Sequence, residues 1–257
     1  MNHALTVFLY TFGLFLGMLL FLEIGRRIAV RRLKKDSGTA GEGVGAVDGA
    51  VFALLGLLIA FTFSGAAARF DTRRQLIVEE TNHIGTAYFR LDLLPADLQP
   101  ALRESFRRYL DARIEVYRKL PDVAAAKAHL AKADELQKQI WRQAVAASRA
   151  EGALPAAPIL LLPALNAMID ITTTRTMATL MHPPAIVFVM LFALALAASL
   201  LAGYGMTGNR VRSWFHMVGF ALVVAISVYV ILDLEYPRLG LIRVDAFDQA
   251  LVDCAKA

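Results

Sequence analysis

The chain has 257 residues, 57% hydrophobic and 19% charged, with a net charge of +5 and a mean hydropathy of +0.52. Its charges vanish over four long stretches and crowd between them, which excludes an ordinary soluble domain, because a charge at the bilayer centre costs about 2.5–3.5 kcal/mol. The single cysteine, Cys254, excludes an internal disulfide or a cysteine-based metal cluster. Much of the Lys/Arg excess sits beside apolar runs, where it serves topology and lipid headgroups rather than nucleic acid.

The fold class expected is all-α: a polytopic membrane protein with four transmembrane helices and an inserted, mostly helical extramembrane domain. About 20 apolar residues cross about 30 Å of hydrocarbon. Residues 1–25 form the first helix, charge-free over 4–22. No basic leader precedes it and Arg26-Arg27 follow it, so it is a retained helix rather than a signal peptide. Residues 26–47 form a basic loop with Arg26, Arg27, Arg31, Arg32, Lys34 and Lys35, then a flexible glycine-rich linker through Gly38, Gly41, Gly43 and Gly45. The second helix, 48–68, has Asp48 as its candidate cap.

Residues 69–182 carry the pattern of soluble helices. Leu102, Phe106, Leu110 and Ile114 recur every four residues, Leu136, Ile140 and Ala144 repeat that spacing, and Asp134 with Lys138 is a favourable i,i+4 pair. Pro95, Pro100, Pro121 and residues 152–158 punctuate the segment into about four helices. Residues 159–169 are apolar but short, and Pro163 and Asn166 interrupt them, so a buried or interfacial helix is expected rather than a fifth span. The third span, 183–203, opens on Pro183-Pro184. A short basic loop, 204–213, carries Arg210 and Arg212. The fourth span, 214–232, has Ser213 as candidate cap and Pro237 past its end, and 233–257 form a C-terminal tail.

Positive charge in short loops orients membrane proteins. The two loops on one side hold eight cations, six in the first and Arg210 and Arg212 in the other. The opposite side holds six near span ends: Arg69, Arg73, Arg74, Arg175, Arg238 and Arg243. This balance places the helical domain and both termini outside the cytoplasm.

No cluster spells out a reaction, and neither enzyme activity nor a cofactor is expected. The glycines at 41–45 lack the Gly-Lys-Ser/Thr of a phosphate loop. Glu79, Glu80 and His83 share a helical face, but a di-metal bundle needs a second Glu-x-x-His, and Ala126, Thr179 and Ser213 precede the other candidate histidines. No nucleophile elbow is present. Gly13 with Gly17, and Gly56, Ala60 and Ser64, are small-residue faces suited to close packing, within one subunit or between subunits. Arg69, Arg73 and Arg74 cluster where the second apolar run ends, as headgroup anchors or as an electropositive collar for anions. Asp233 and Glu235, followed by Arg238, stand beyond the fourth run as candidates for a clamp with that collar.

Several segments resemble the bacterial bestrophin-like membrane family: Leu55-Gly-Leu-Leu-Ile-Ala-Phe-Thr-Phe-Ser-Gly-Ala, Arg69-Phe-Asp-Thr-Arg-Arg and Glu79-Glu-Thr-Asn-His-Ile-Gly. Leu165-Asn-Ala-Met-Ile-Asp, Gly203-Tyr-Gly and Asp233-Leu-Glu-Tyr-Pro-Arg-Leu-Gly extend the likeness. His83 departs from the family's usual Ala-Asn-Ala-Ile-Gly. The resemblance implies a bacterial inner-membrane protein, distantly similar to pentameric bestrophin anion channels, in which a second helix ending in an Arg-aromatic pair lines a narrow neck. Arg69-Phe70 looks like that pair, which implies pore-lining positions at Ala53, Leu57 and Phe61, although only Phe61 keeps the aromatic type. In true bestrophins the helical region is cytosolic, opposite to the orientation that the loop charges favour here. The function so implied is an oligomeric ion channel, anion-conducting, whose partners are the bilayer, further copies of itself and inorganic anions. The alternative is a non-conducting membrane protein whose helical domain binds a partner or senses envelope conditions.

Overall fold

A computed structural model describes residues 3–35, 44–206 and 214–254. The expected linker glycines Gly38, Gly41 and Gly43, the loop cations Arg210 and Arg212, and the expected cap Ser213 lie outside the described residues. All regular structure among the described residues is helical: α1 (His3–Lys35), α2 (Val44–Phe89), α3 (Gln99–Arg118), α4 (Val123–Ala147), α5 (Ala157–Leu180), α6 (Ala185–Gly205), α7 (Trp214–Glu235) and α8 (Gln249–Cys254), with short 3-10 turns at Arg90–Leu93 and Asp245–Asp248. Among the described residues, four apolar helices are long enough to cross a membrane, and α1, α2, α6 and α7 carry them. Asp48 lies within α2 rather than capping it. Asp233 and Glu235, beyond the fourth apolar run, fall in the last turn of α7.

The chain divides into two compact units. Unit 1 comprises Met1–Ala68 and His182–Tyr236. Leu14 and Met18 of α1 and Leu55 of α2 pack with Leu191, Ala195 and Ala198 of α6 and with Ala221, Val224 and Val228 of α7. Phe52 meets Phe220 edge to face, centroids 6.1 Å apart. Lipid tails are as apolar as these side chains, so close packing rather than water exclusion must hold the spans together. The tightest approach joins α1 and α6: a Cβ on Gly25 would stand 2.0 Å from the Leu200 carbonyl oxygen, and one on Gly203 2.0 Å from that of Leu22. Of the glycines expected to pack, Gly17 faces Leu196, whereas a Cβ on Gly13 or Gly56 would meet nothing within 4 Å.

Unit 2 comprises Arg69–Met181 and Pro237–Ala257, so the C-terminal segment belongs to the helical unit. At 1.5 Å per residue the 46 residues of α2 run about 70 Å, more than twice the hydrocarbon core, so its charged second half lies beyond the membrane. That half contributes Ile84 and Ala87 to a core with Leu102, Phe106, Tyr109 and Leu110 of α3, Leu136 and Ile140 of α4, and Leu161, Leu165 and Met168 of α5. The four-residue spacing in α3 and α4 thus marks their inward faces. Asp122 caps α4, its Oδ1 accepting from the Ala125 amide at 3.0 Å. The apolar residues 159–169 form the first half of α5, a helix of unit 2 that buries Leu161, Leu165 and Met168.

Candidate functional site

Four-residue steps advance a helix by 400°, so Ala53, Leu57 and Phe61 share one face of α2 with a modest drift. All three are exposed, Leu57 at 51% and Phe61 at 67%, while Leu55, Thr62 and Ala66 on the other side are buried. Gly56, Ala60 and Ser64 are exposed as well. Among the described residues, the expected pore-lining positions and the small-residue stripe of α2 therefore both stand exposed within a single chain.

The three collar arginines have different settings. Arg73 is 6% exposed; its Nε donates to the Ala178 carbonyl at 3.1 Å and its Nη2 to that of Met181 at 3.0 Å. A cation there satisfies carbonyls that α5 leaves open at its C-terminus and sits at the negative end of its dipole. Arg74 donates to Asp71 at 3.0 Å and stacks over Phe247 at 4.3 Å. Arg69 is half-buried.

The acidic candidates are buried in unit 1, Asp233 completely, and Glu235 lies 3.3 Å from Nδ1 of His182, whose ring stacks on Tyr236. In unit 2, Arg238 holds Asp248 by two bonds of 2.6 and 2.9 Å and reaches Asp245 at 3.3 Å.

The most buried charges of unit 2 were not legible as a group in the sequence. Glu80 has no exposed side-chain surface. Its Oε1 accepts from Arg113 Nε at 2.6 Å, and its Oε2 accepts from Arg175 Nη1. Arg175 also donates to Asp248 at 3.0 Å, which links α2, α3, α5 and the C-terminal segment through one network. Tyr117 lies at its centre, with the guanidiniums of Arg175, Arg238 and Arg113 at 3.9, 4.2 and 5.4 Å from its ring, and its hydroxyl accepts from Arg113 Nη2 at 2.7 Å. Burial pushes the Tyr117 phenol up, against the pull of the arginines. Burial and the Glu80 charge push Tyr109 up to about 12. Burial alone would lower Arg113, but Tyr117 and Glu80 outweigh it and hold the guanidinium above its usual range. Helix phase separates Glu80 from the face expected for it with Glu79 and His83: Glu79 is exposed and 3.5 Å from His83, as a solvated face requires, whereas the next residue turns 100° inward. The described residues contain no group of three or more His, Cys, Asp or Glu side chains placed to hold a metal ion.

Comparison with curated proteins gives no match. Among solved structures, a single-substitution form of a bacterial bestrophin homologue from Klebsiella pneumoniae superposes with a TM-score of 0.69 at 14% identity, covering 95% of this chain and 98% of that one. Another form gives 0.66 at 15% identity, with coverages of 94% and 98%. A crystal structure described as a membrane protein gives 0.62 at 14%, with coverages of 95% and 99%. At such identity these likenesses show the fold. The bestrophin-like domain itself matches residues 10–246, nearly the whole chain, and the protein therefore belongs to the bestrophin-like family.

Proposed function

We propose that the chain is the subunit of an oligomeric ion channel in which copies of α2 surround an anion-conducting path, pentameric by analogy with bestrophins. The observation that carries this reading is the face of α2 at Ala53, Leu57 and Phe61, which is apolar, lies within a span and is exposed among the described residues. Four spans cannot enclose a pore alone, whereas a ring of such faces would. Phe61, the most exposed large side chain on that face, would set the constriction and gate it by dewetting, since an ion stripped of water in an apolar ring pays heavily. Arg69, Arg73 and Arg74, which outnumber the one carboxylate among them, Asp71, would supply the positive potential that attracts anions.

Purified protein in planar bilayers tests this. Phe61→Ala should raise conductance, and Arg69→Glu should shift selectivity away from anions. A pentamer that stays electrically silent in both wild type and Phe61→Ala would sink the channel reading in favour of a partner-binding membrane protein. The cation balance further supports a bacterial inner-membrane orientation with unit 2 outside the cytoplasm. Alkaline phosphatase fused near position 120 should then be active, and a bright fluorescent fusion there would reverse the orientation.

A further inference from the structure

The C-terminal end of α1 combines features that the channel reading does not use. The Gly25–Gly203 crossing seats α6 against one side of α1, the side that buries Met18, Leu22, Gly25 and Ala29. The opposite side therefore stays open. Along it Leu16, Leu20, Ile24 and Ile28 form an exposed apolar stripe. Arg27 and Arg31, both exposed, join that stripe where the span ends, at the i, i+3, i+4, i+7 spacing that keeps residues on one face.

The charge there is one-sided. Residues 23–32 hold four guanidiniums and one carboxylate, Glu23, a net +3. Glu23 is shared, accepting from Arg26 at 3.0 Å and from Arg27 at 2.7 Å. Arg32 turns towards α6 and donates to the Tyr204 hydroxyl at 3.2 Å, which leaves Arg27 and Arg31 to the open face.

We propose that this face is a binding site for an anionic phospholipid, whose phosphodiester sits on Arg27 and Arg31 while an acyl chain lies along Leu16, Leu20 and Ile24. The apolar stripe argues for a lipid over a soluble anion. A free phosphate would use the guanidiniums alone, and the exposed leucines would add nothing to its affinity. Guanidiniums match phosphate oxygens in pairs, and about four residues along a helix bring two of them to one ligand.

The full-length protein in mild detergent, exchanged with phosphatidylglycerol or with zwitterionic phosphatidylcholine and measured by native mass spectrometry, tests the site. Phosphatidylglycerol should be retained in preference. The Arg27→Gln/Arg31→Gln variant should weaken that retention about twenty-fivefold, since one cation near an anionic surface is worth about a fivefold gain. Arg107→Gln, which removes an exposed cation of unit 2, should leave retention unchanged. Equal retention of the two lipids by wild type, or undiminished phosphatidylglycerol binding by the double variant, would overturn the proposal. So would heat protection by millimolar inorganic phosphate equal to that by phosphatidylglycerol, which would assign the site to a free anion. If the double variant does not fold, the headgroup comparison on wild type decides alone.

Discussion

Neutralising Glu80 is the sharpest test of what holds unit 2 together. Glu80→Gln keeps the shape of the side chain and removes its charge, leaving Arg113 and Arg175 facing an amide in a region closed to water. A guanidinium can still donate to the amide oxygen, but only one oxygen remains for the two donors; Arg175 keeps Asp248 as a counterion, whereas Arg113 loses the carboxylate that offsets its desolvation. Breaking a buried pair in this way typically costs about 3–5 kcal/mol. For a unit of this size 1 kcal/mol moves the melting midpoint by about 3 °C, so the variant should melt roughly 10–15 °C lower. Trp141 lies in α4 of unit 2 and Trp214 in α7 of unit 1. Fluorescence of Trp141 in a Trp214→Phe background therefore reports unit 2. Arg113→Met should also cost less in the Glu80→Gln background than in wild type, because the two charges act as a pair. A Glu80→Gln midpoint within about 2 °C of its parent would refute the reasoning and show that the network contributes little.

Other substitutions test separate parts of the structure. Gly25→Ala and Gly203→Ala should each lower folded yield in detergent, since each Cβ would meet a backbone oxygen at 2.0 Å and overpacking costs about 1–3 kcal/mol or more. Gly13→Ala, with open space around it, should have little effect in the same assay. Arg73→Gln should destabilise unit 2 by about 1.5–3 kcal/mol in chemical denaturation, because it removes charged donors from two carbonyls at the end of α5. In alkali, Tyr109 should resist ionisation until about pH 12, visible as a missing phenolate in the ultraviolet titration of the native protein. The sign follows from linkage: a phenol held above its unfolded value of 10.0 contributes stability that is complete below pH 10 and disappears as the pH rises towards 12. Tyr109→Phe should flatten that loss, and an unchanged alkaline limb would contradict it.

The four spans were legible in the sequence because transfer into hydrocarbon is a sum over about 20 consecutive residues, a local quantity that needs no knowledge of neighbours. The inward faces of α3 and α4 were legible for a similar reason, since the Leu102–Ile114 and Leu136–Ala144 spacing records a one-sided environment. What depended on partners was not legible. Glu79 and Glu80 are identical side chains one residue apart, and only the arrival of α3 and α5 makes one solvated and the other the buried counterion of Arg113 and Arg175. Arg73 looked like one of three collar cations until the end of α5 placed two carbonyls beside it. Gly13 and Gly17 had the spacing of a packing motif, yet the backbones of α1 and α6 meet at Gly25 and Gly203, a choice made by the crossing of two helices. Apolar length is a property of a segment, whereas burial of a charge or contact at a glycine belongs to a pair of segments, and only the tertiary structure determines which pair meets.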